Sequence, residues 1–223
     1  MKLVYSDQYD LNLGDHVFPS VKYTLTKEKV LRDGVARAED FVEPAAASDE
    51  DVALVHHRDY IRKLKTGTLS YVEKLRLEIP YSPELVRAVW LCAGGSILAG
   101  RLALQDSVAV NVGGGFHHAC PDHGEGFCVL HDVAIAIRRL QKDAAIERAM
   151  TVDCDVHHGT ALPKSSPATV PCSPFPSTRN GIIPTPSRPA TSTSTCRTGL
   201  RTRSTLPNLS TDWINPWRDS SLM

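Results

Sequence analysis

Ser82-Pro83-Glu84 is the strongest helix start in the chain: a hydroxyl N-cap, proline at the first helical position and an acid in the first turn. The apolar run behind it predicts a helix to about Leu104. Arg87, Arg101 and the pair Gly94-Gly95 mark it as a core helix packed closely on another backbone rather than a membrane span. Strand patterns bracket this helix. Leu3-Val4-Tyr5 reads as a short strand, Ser107 to Val112 as one that ends in Gly113-Gly114-Gly115, and Ala149 to Asp153 as another. Ser48 to Asp51 has capping-box spacing ahead of Val52. Tyr60 to Leu64 continues as a helix that the Gly67 region stops. Leu130 to Leu140 is amphipathic, with Ala134, Ile135, Ile137 and Leu140 facing inward. Strands separated by helix-length connections predict an α/β fold, a parallel sheet covered by helices. Ligands in such sheets bind beyond the C-terminal ends of the strands.

The pattern breaks at Gly159. Residues 1–159 hold 18 Lys/Arg and 23 Asp/Glu, and residues 160–223 hold seven and two, so the formal net charge of zero is a −5 part cancelling a +5 part. The second part also carries 22 Ser/Thr and ten of the fifteen prolines, with no sustained periodicity. Such a composition does not bury enough apolar surface to offset chain entropy. Two parts are therefore expected: 1–159, the N-terminal part of an α/β domain, and 160–223, an irregular, disordered Ser/Thr/Pro-rich tail. A neutral chain suggests neither a nucleic-acid partner nor a membrane surface. The six cysteines lie scattered, with no CxxC pair and no apolar leader ahead of them, which predicts reduced thiols and a cytoplasmic setting.

Two segments carry chemistry, each at a strand's C-terminal end. Asn111 to Cys120 places His117 and His118 directly after three glycines, which open turn conformations closed to other residues. The pair could serve as a general base and an orienting imidazole, or could be two surface histidines. In Thr151 to Gly159, strand alternation would project Asp153, Asp155 and His157 from one face. Carboxylate and imidazole at that spacing suit zinc or another divalent ion. Adjacent buried acids would repel without a cation between them.

Gly113 to Ala119, Gly126-Phe127-Cys128 and Asp153 to Gly159 together resemble the histone deacetylase family, including its bacterial deacetylase relatives. His16 to Tyr23 and the glycine-rich dyad turn are most similar to the class IV branch. The resemblance spans about residues 3–159. It implies the three-layer α/β/α arginase-deacetylase architecture and a zinc-dependent hydrolase acting on acetyl-lysine or another small acylated amine. It assigns Asp155 and His157 as two zinc ligands and His118 as the general base. His117 is its companion, held by Asp153, which borders a structural K+ site in relatives. Phe127, with Gly126 beside it, lines the substrate channel.

The family's third metal ligand, an aspartate, and its oxyanion tyrosine have no counterpart in residues 160–223, where Asp212 and Asp219 stand in no matching context and tyrosine is absent. A non-catalytic remnant is thus the alternative to a working enzyme. A one-base frame shift after Gly159 accounts for the loss. Shifted by one base, codons for Thr160 to Ser166 can encode a family-like continuation of the histidine motif. Those for Cys172 to Thr185 can encode FTFSIHQERNYPH. Sequencing the gene is expected to show codons that permit these readings throughout; codons that forbid them dispose of the idea.

Overall fold

The computed structural model describes residues 1–157 and the backbone of 181–183. Its centre is a parallel three-stranded sheet in the order β2–β1–β3, made of β1 (Lys2–Val4), β2 (Phe41–Val42) and β3 (Ala109–Asn111). Leu3 is in register with Phe41 on one side and Val110 on the other. Around it run α1 (Lys22–Arg32), α2 (Asp49–Val52), α3 (Arg58–Thr66), α4 (Tyr71–Arg76), α5 (Pro83–Asp106) and α6 (Asp132–Lys142).

Local chemistry sets the helix boundaries. Ser48 accepts from the Asp51 N–H while the Asp51 carboxylate accepts from the Ser48 N–H, closing the expected capping box at α2. Ser70 and Glu73 repeat that exchange at α4. α3 stops at Gly67, which takes the left-handed conformation a C-terminal cap favours. α5 starts at Pro83 with Ser82 as its cap, and ends two residues beyond the expected Leu104.

α5 is long and apolar enough to cross a membrane by length and composition. In the fold it instead buries Leu85, Val89, Trp90, Ala93 and Ile97, and packs on β1, β3 and α6. A methyl group on Gly94 would collide with the Ala45 carbonyl, and one on Gly95 with the Tyr9 hydroxyl. The pair therefore lies at a close approach, as the sequence predicts. Ala134, Ile135, Ile137 and Leu140 of α6 are all buried.

The last strand departs from expectation. β4 spans only Ala149–Thr151 and pairs antiparallel with β5 (Gly181–Ile183), so it is not a member of the parallel sheet. β5 falls inside the part expected to be irregular; Ile182-Ile183 is a β-branched pair suited to strand pairing. The other residues of 160–223, the frame-shift readings on them, and His158 and Gly159 lie outside the described residues. Strand alternation also fails beyond Thr151. The Asp155 N–H donates to Asp153 Oδ1 (2.9 Å), and the His157 N–H to Asp155 Oδ1 (2.8 Å). Aspartates that capture the backbone two residues on favour turns over strand. Asp153, Asp155 and His157 thus stand on a loop. Among the cysteines, Cys92, Cys128 and Cys154 are free thiols, whereas Cys120 is disulfide-bonded, against the expectation that all stay reduced.

A buried histidine pair ties α3 and α6 to the loop between them. His56 Nδ1 donates to the Cys120 carbonyl (2.9 Å), and its Nε2 accepts from the His131 N–H (3.0 Å). That pattern requires the neutral ring. Burial pushes the His56 pKa from 6.5 down to about 3, and that of His131 down to about 4. Between these values and the unfolded value the unfolded chain binds more protons, so stability is full above about pH 6.5 and is lost as pH falls. The urea midpoint is expected to drop already between about pH 6.5 and about 5, above the range in which ordinary carboxylates titrate. A flat midpoint across that window contradicts the account.

Candidate active site

Beyond the C-terminal end of β3 the chain turns through Gly113-Gly114-Gly115 and presents His117 and His118. Asp132, the first residue of α6, lies under this turn, fully buried. Its carboxylate accepts from the Gly115 N–H (3.0 Å), the Phe116 N–H (2.8 Å) and the Ser96 hydroxyl. Ser96 Oγ accepts from Asn111 Nδ2 (2.9 Å), and Asn111 Oδ1 accepts from the Tyr9 hydroxyl (3.1 Å). A directed chain of hydrogen bonds thus runs from Tyr9 on the N-terminal segment through Asn111 and Ser96 to Asp132.

This chain explains the glycines better than ligand approach does. A methyl group on Gly113 would strike the Tyr9 ring. One on Gly114 would lie 2.7 Å from Asp132 Oδ2 and 2.9 Å from both Asn111 Nδ2 and Ser96 Oγ. Gly115, at φ +98°, uses the conformational freedom the sequence suggests.

His117 and His118 stand edge to face, ring centroids 4.2 Å apart. His117 Nδ1 lies 2.7 Å from Asp153 Oδ2; a carboxylate only accepts, so the ring donates there. Burial of Asp153 alone would raise its pKa. The Asp155 N–H and the His117 ring outweigh that and hold the carboxyl below the usual range. Burial, and then the neighbouring His117, hold His118 below the usual histidine value, which leaves it neutral near pH 7.

A cavity of about 680 Å³ opens over the pair. Gly126 and Phe127 form one wall. A methyl group on Gly126 would lie 3.2 Å from the His118 ring, and the segment is fixed by Gly126 and Phe127 N–H bonds to the Arg76 and Leu77 carbonyls. Phe127 packs on Phe18 (5.5 Å between centroids) and edge-on to His16 (5.8 Å). Asp155 and His157 line the same cavity. The structure therefore brings together all seven residues singled out from sequence: His117, His118, Asp153, Phe127, Gly126, Asp155 and His157. Sequence reasoning missed Phe18 as a wall and Asp132 as the support of the turn. Phe18 had a signal, since it falls in a family-like segment; Asp132 had none, because its partners are 16 and 17 residues away.

As a zinc site the donors match in kind and fall short in number. Carboxylate and imidazole suit zinc, but a catalytic zinc takes three protein ligands and a water. Among the described residues no group of three or more His, Cys, Asp or Glu could hold a metal. Asp155 and His157 are exposed and turned onto each other, His157 Nδ1 lying 2.9 Å from Asp155 Oδ1.

The histone deacetylase domain family model matches residues 16–166. The chain belongs to that family. It is 39% identical over 145 residues to an uncharacterized protein of Picosynechococcus, a match covering 65% of this chain and 48% of the relative. It is 31% identical over 169 residues to histone deacetylase 2 of Arabidopsis thaliana, covering 71% and 44%, and 31% identical to the acetoin utilization protein AcuC of Staphylococcus aureus, covering 70% and 43%. The crystal structure of the HDA15 HD domain superposes with a TM-score of 0.61 at 19% identity, over 71% of this chain and 48% of the other; it shares the fold. The chain thus spans about half the length of the curated relatives it matches.

The Gly114→Ala protein is expected to lose ~1–3 kcal/mol of stability, because an extra methyl there overpacks a buried polar cluster. Urea unfolding measures it, and an unchanged midpoint contradicts the close packing.

Proposed function

We propose that the domain this chain begins performs zinc-dependent hydrolysis of an acyl-amide, removing the acyl group from acetyl-lysine or a related small acylated amine. The observation that carries this reading is the His117–Asp153 bond beside His118, on the wall of the cavity that Asp155 and His157 also line. Family membership supports deacetylation in general terms. Asp155 and His157 are assigned as two ligands; the third, an aspartate in the family, has no counterpart in this chain and would come from the frame-restored protein. Bound zinc would polarise the amide carbonyl and acidify a water.

The protein's own groups have separable tasks. His118, neutral near pH 7, accepts the proton of the attacking water at the ring nitrogen that faces the cavity, and returns it to the departing amine. Asp153 accepts from His117 Nδ1 and so fixes the tautomer and the orientation of that ring beside the base. Phe127 and Phe18 supply flat apolar walls for an aliphatic side chain and exclude water from around it. A structural K+ beside Asp153, as the resemblance implies, and a cytoplasmic setting are part of the same proposal.

A second reading has its own observation: two donors bonded to each other and no third among the described residues favour a non-catalytic remnant. On the frame-shift account both hold, the hydrolase for the restored gene and the remnant for this chain. Zinc content and turnover of an acetyl-lysine reporter separate them. The chain itself is expected to hold less than stoichiometric zinc and to be inactive, and a frame-restored protein to be active, with His118→Ala lowering its rate ~10²–10⁴-fold. Stoichiometric zinc and His118-dependent turnover in the chain itself would refute the remnant reading. An inactive restored protein would refute the hydrolase.

A further inference from the structure

The buried carboxylate beneath the glycine turn is used by none of the chemistry above. We propose that Asp132 is the positioning residue of the His117–His118 pair, its carboxylate gripping the two N–H groups that immediately precede the pair and so fixing where both imidazoles point. Calling the pair catalytic rests on the hydrolase reading; the placement itself does not.

Three observations converge on it. First, Asp132 is fully buried and belongs to no ion pair among the described residues, so what compensates it is hydrogen bonding, from the Ser96 hydroxyl and from the Gly115, Phe116 and Val133 N–H groups. A buried carboxylate left unsatisfied costs far more than a neutral group would, so donors that satisfy it are held strongly. Secondly, two of those donors are the backbone N–H groups of Gly115 and Phe116, directly ahead of His117. Gly115 is exposed and at positive φ, with nothing within 4 Å of the place where a Cβ would stand. Packing does not hold this residue; the carboxylate does. Thirdly, the side-chain donor, Ser96, lies on α5 and is itself oriented by Asn111 and, through it, by Tyr9. Asp132 opens α6, so a single side chain bolts the dyad turn to two helices. Burial raises its pKa, and the hydrogen bonds from Ser96, Phe116, Gly115 and Val133 oppose that rise.

The experiment uses the full chain, labelled with ¹⁵N, and follows two ring N–H protons by NMR. His117 Nδ1–H, bonded to Asp153, reports the dyad; His56 Nδ1–H, bonded to the Cys120 carbonyl, is the control in the same core. In Asp132→Ala the His117 resonance is expected to be lost while the His56 resonance stays in place. Asp132→Asn, which keeps one acceptor oxygen for the turn, is expected to restore a shifted His117 resonance. An unmoved His117 resonance in the alanine protein overturns the proposal. Loss of both resonances together, at a temperature where the variant remains folded, also overturns it, since that reports a merely structural role.

Should neither variant fold, amide exchange on the unaltered chain decides. The exposed Gly115 and the Phe116 N–H are expected to exchange much more slowly than unbonded loop amides, and rates equal to theirs overturn the proposal. These readouts involve neither zinc nor turnover. A chain that passes them while the frame-restored protein shows no hydrolysis loses its catalytic reading and keeps Asp132 as the anchor of the turn.

Discussion

The close approach of other backbone to α5 at Gly94 and Gly95 is the constraint on which the rest of the structure depends. Side chains there would hold off the Ala45–Ala47 segment and Tyr9. With no side chains in the way, the Ala47 N–H reaches the Trp90 carbonyl (3.0 Å), and the Tyr9 hydroxyl comes within reach of Asn111. Asn111 then bonds to the Cys92 carbonyl on the same helix, fixing the end of β3 against α5. The glycine turn that carries His117 and His118 starts from that contact.

The site is an arrangement of loops held by few but strong polar contacts. Beyond the ends of β3 and β4 the chain has no ladder to order it, and bonds to two carboxyl groups replace the ladder. Asp132 holds one loop from below, and Asp153 links it to the other through His117. Loss of a partner inside a low-dielectric site costs more than such a bond contributes. The geometry of the histidine pair is thus specified by two acids that need not touch a substrate.

Much of the fold was legible because it is written in short-range patterns. The Ser48–Asp51 and Ser82-Pro83 starts, the Gly67 stop and the inward face of α6 each depend on residues within a turn or two of one another, and each was found where expected. Strand β4 was read two residues too long, because alternation of apolar residues through Asp153 outweighed the tendency of aspartate to bond its own backbone. Its antiparallel pairing with Gly181–Ile183 was not legible at all, since strand partners lie far apart in sequence.

By itself the sequence determined the α/β class of residues 1–159, the family, and the identity of the residues that face one another across the cavity, because all of these reside in local spacing and in short motifs. Only the tertiary structure decided what holds them. It showed that Gly113 and Gly114 are small so that Tyr9, Asn111, Ser96 and Asp132 can lie against the turn. It also showed that Asp155 and His157 sit exposed on a loop and bond to each other. The physical reason is the same in both cases. A buried polar group is defined by its partners, and those partners are brought to it from distant points of the chain by packing that no local pattern encodes.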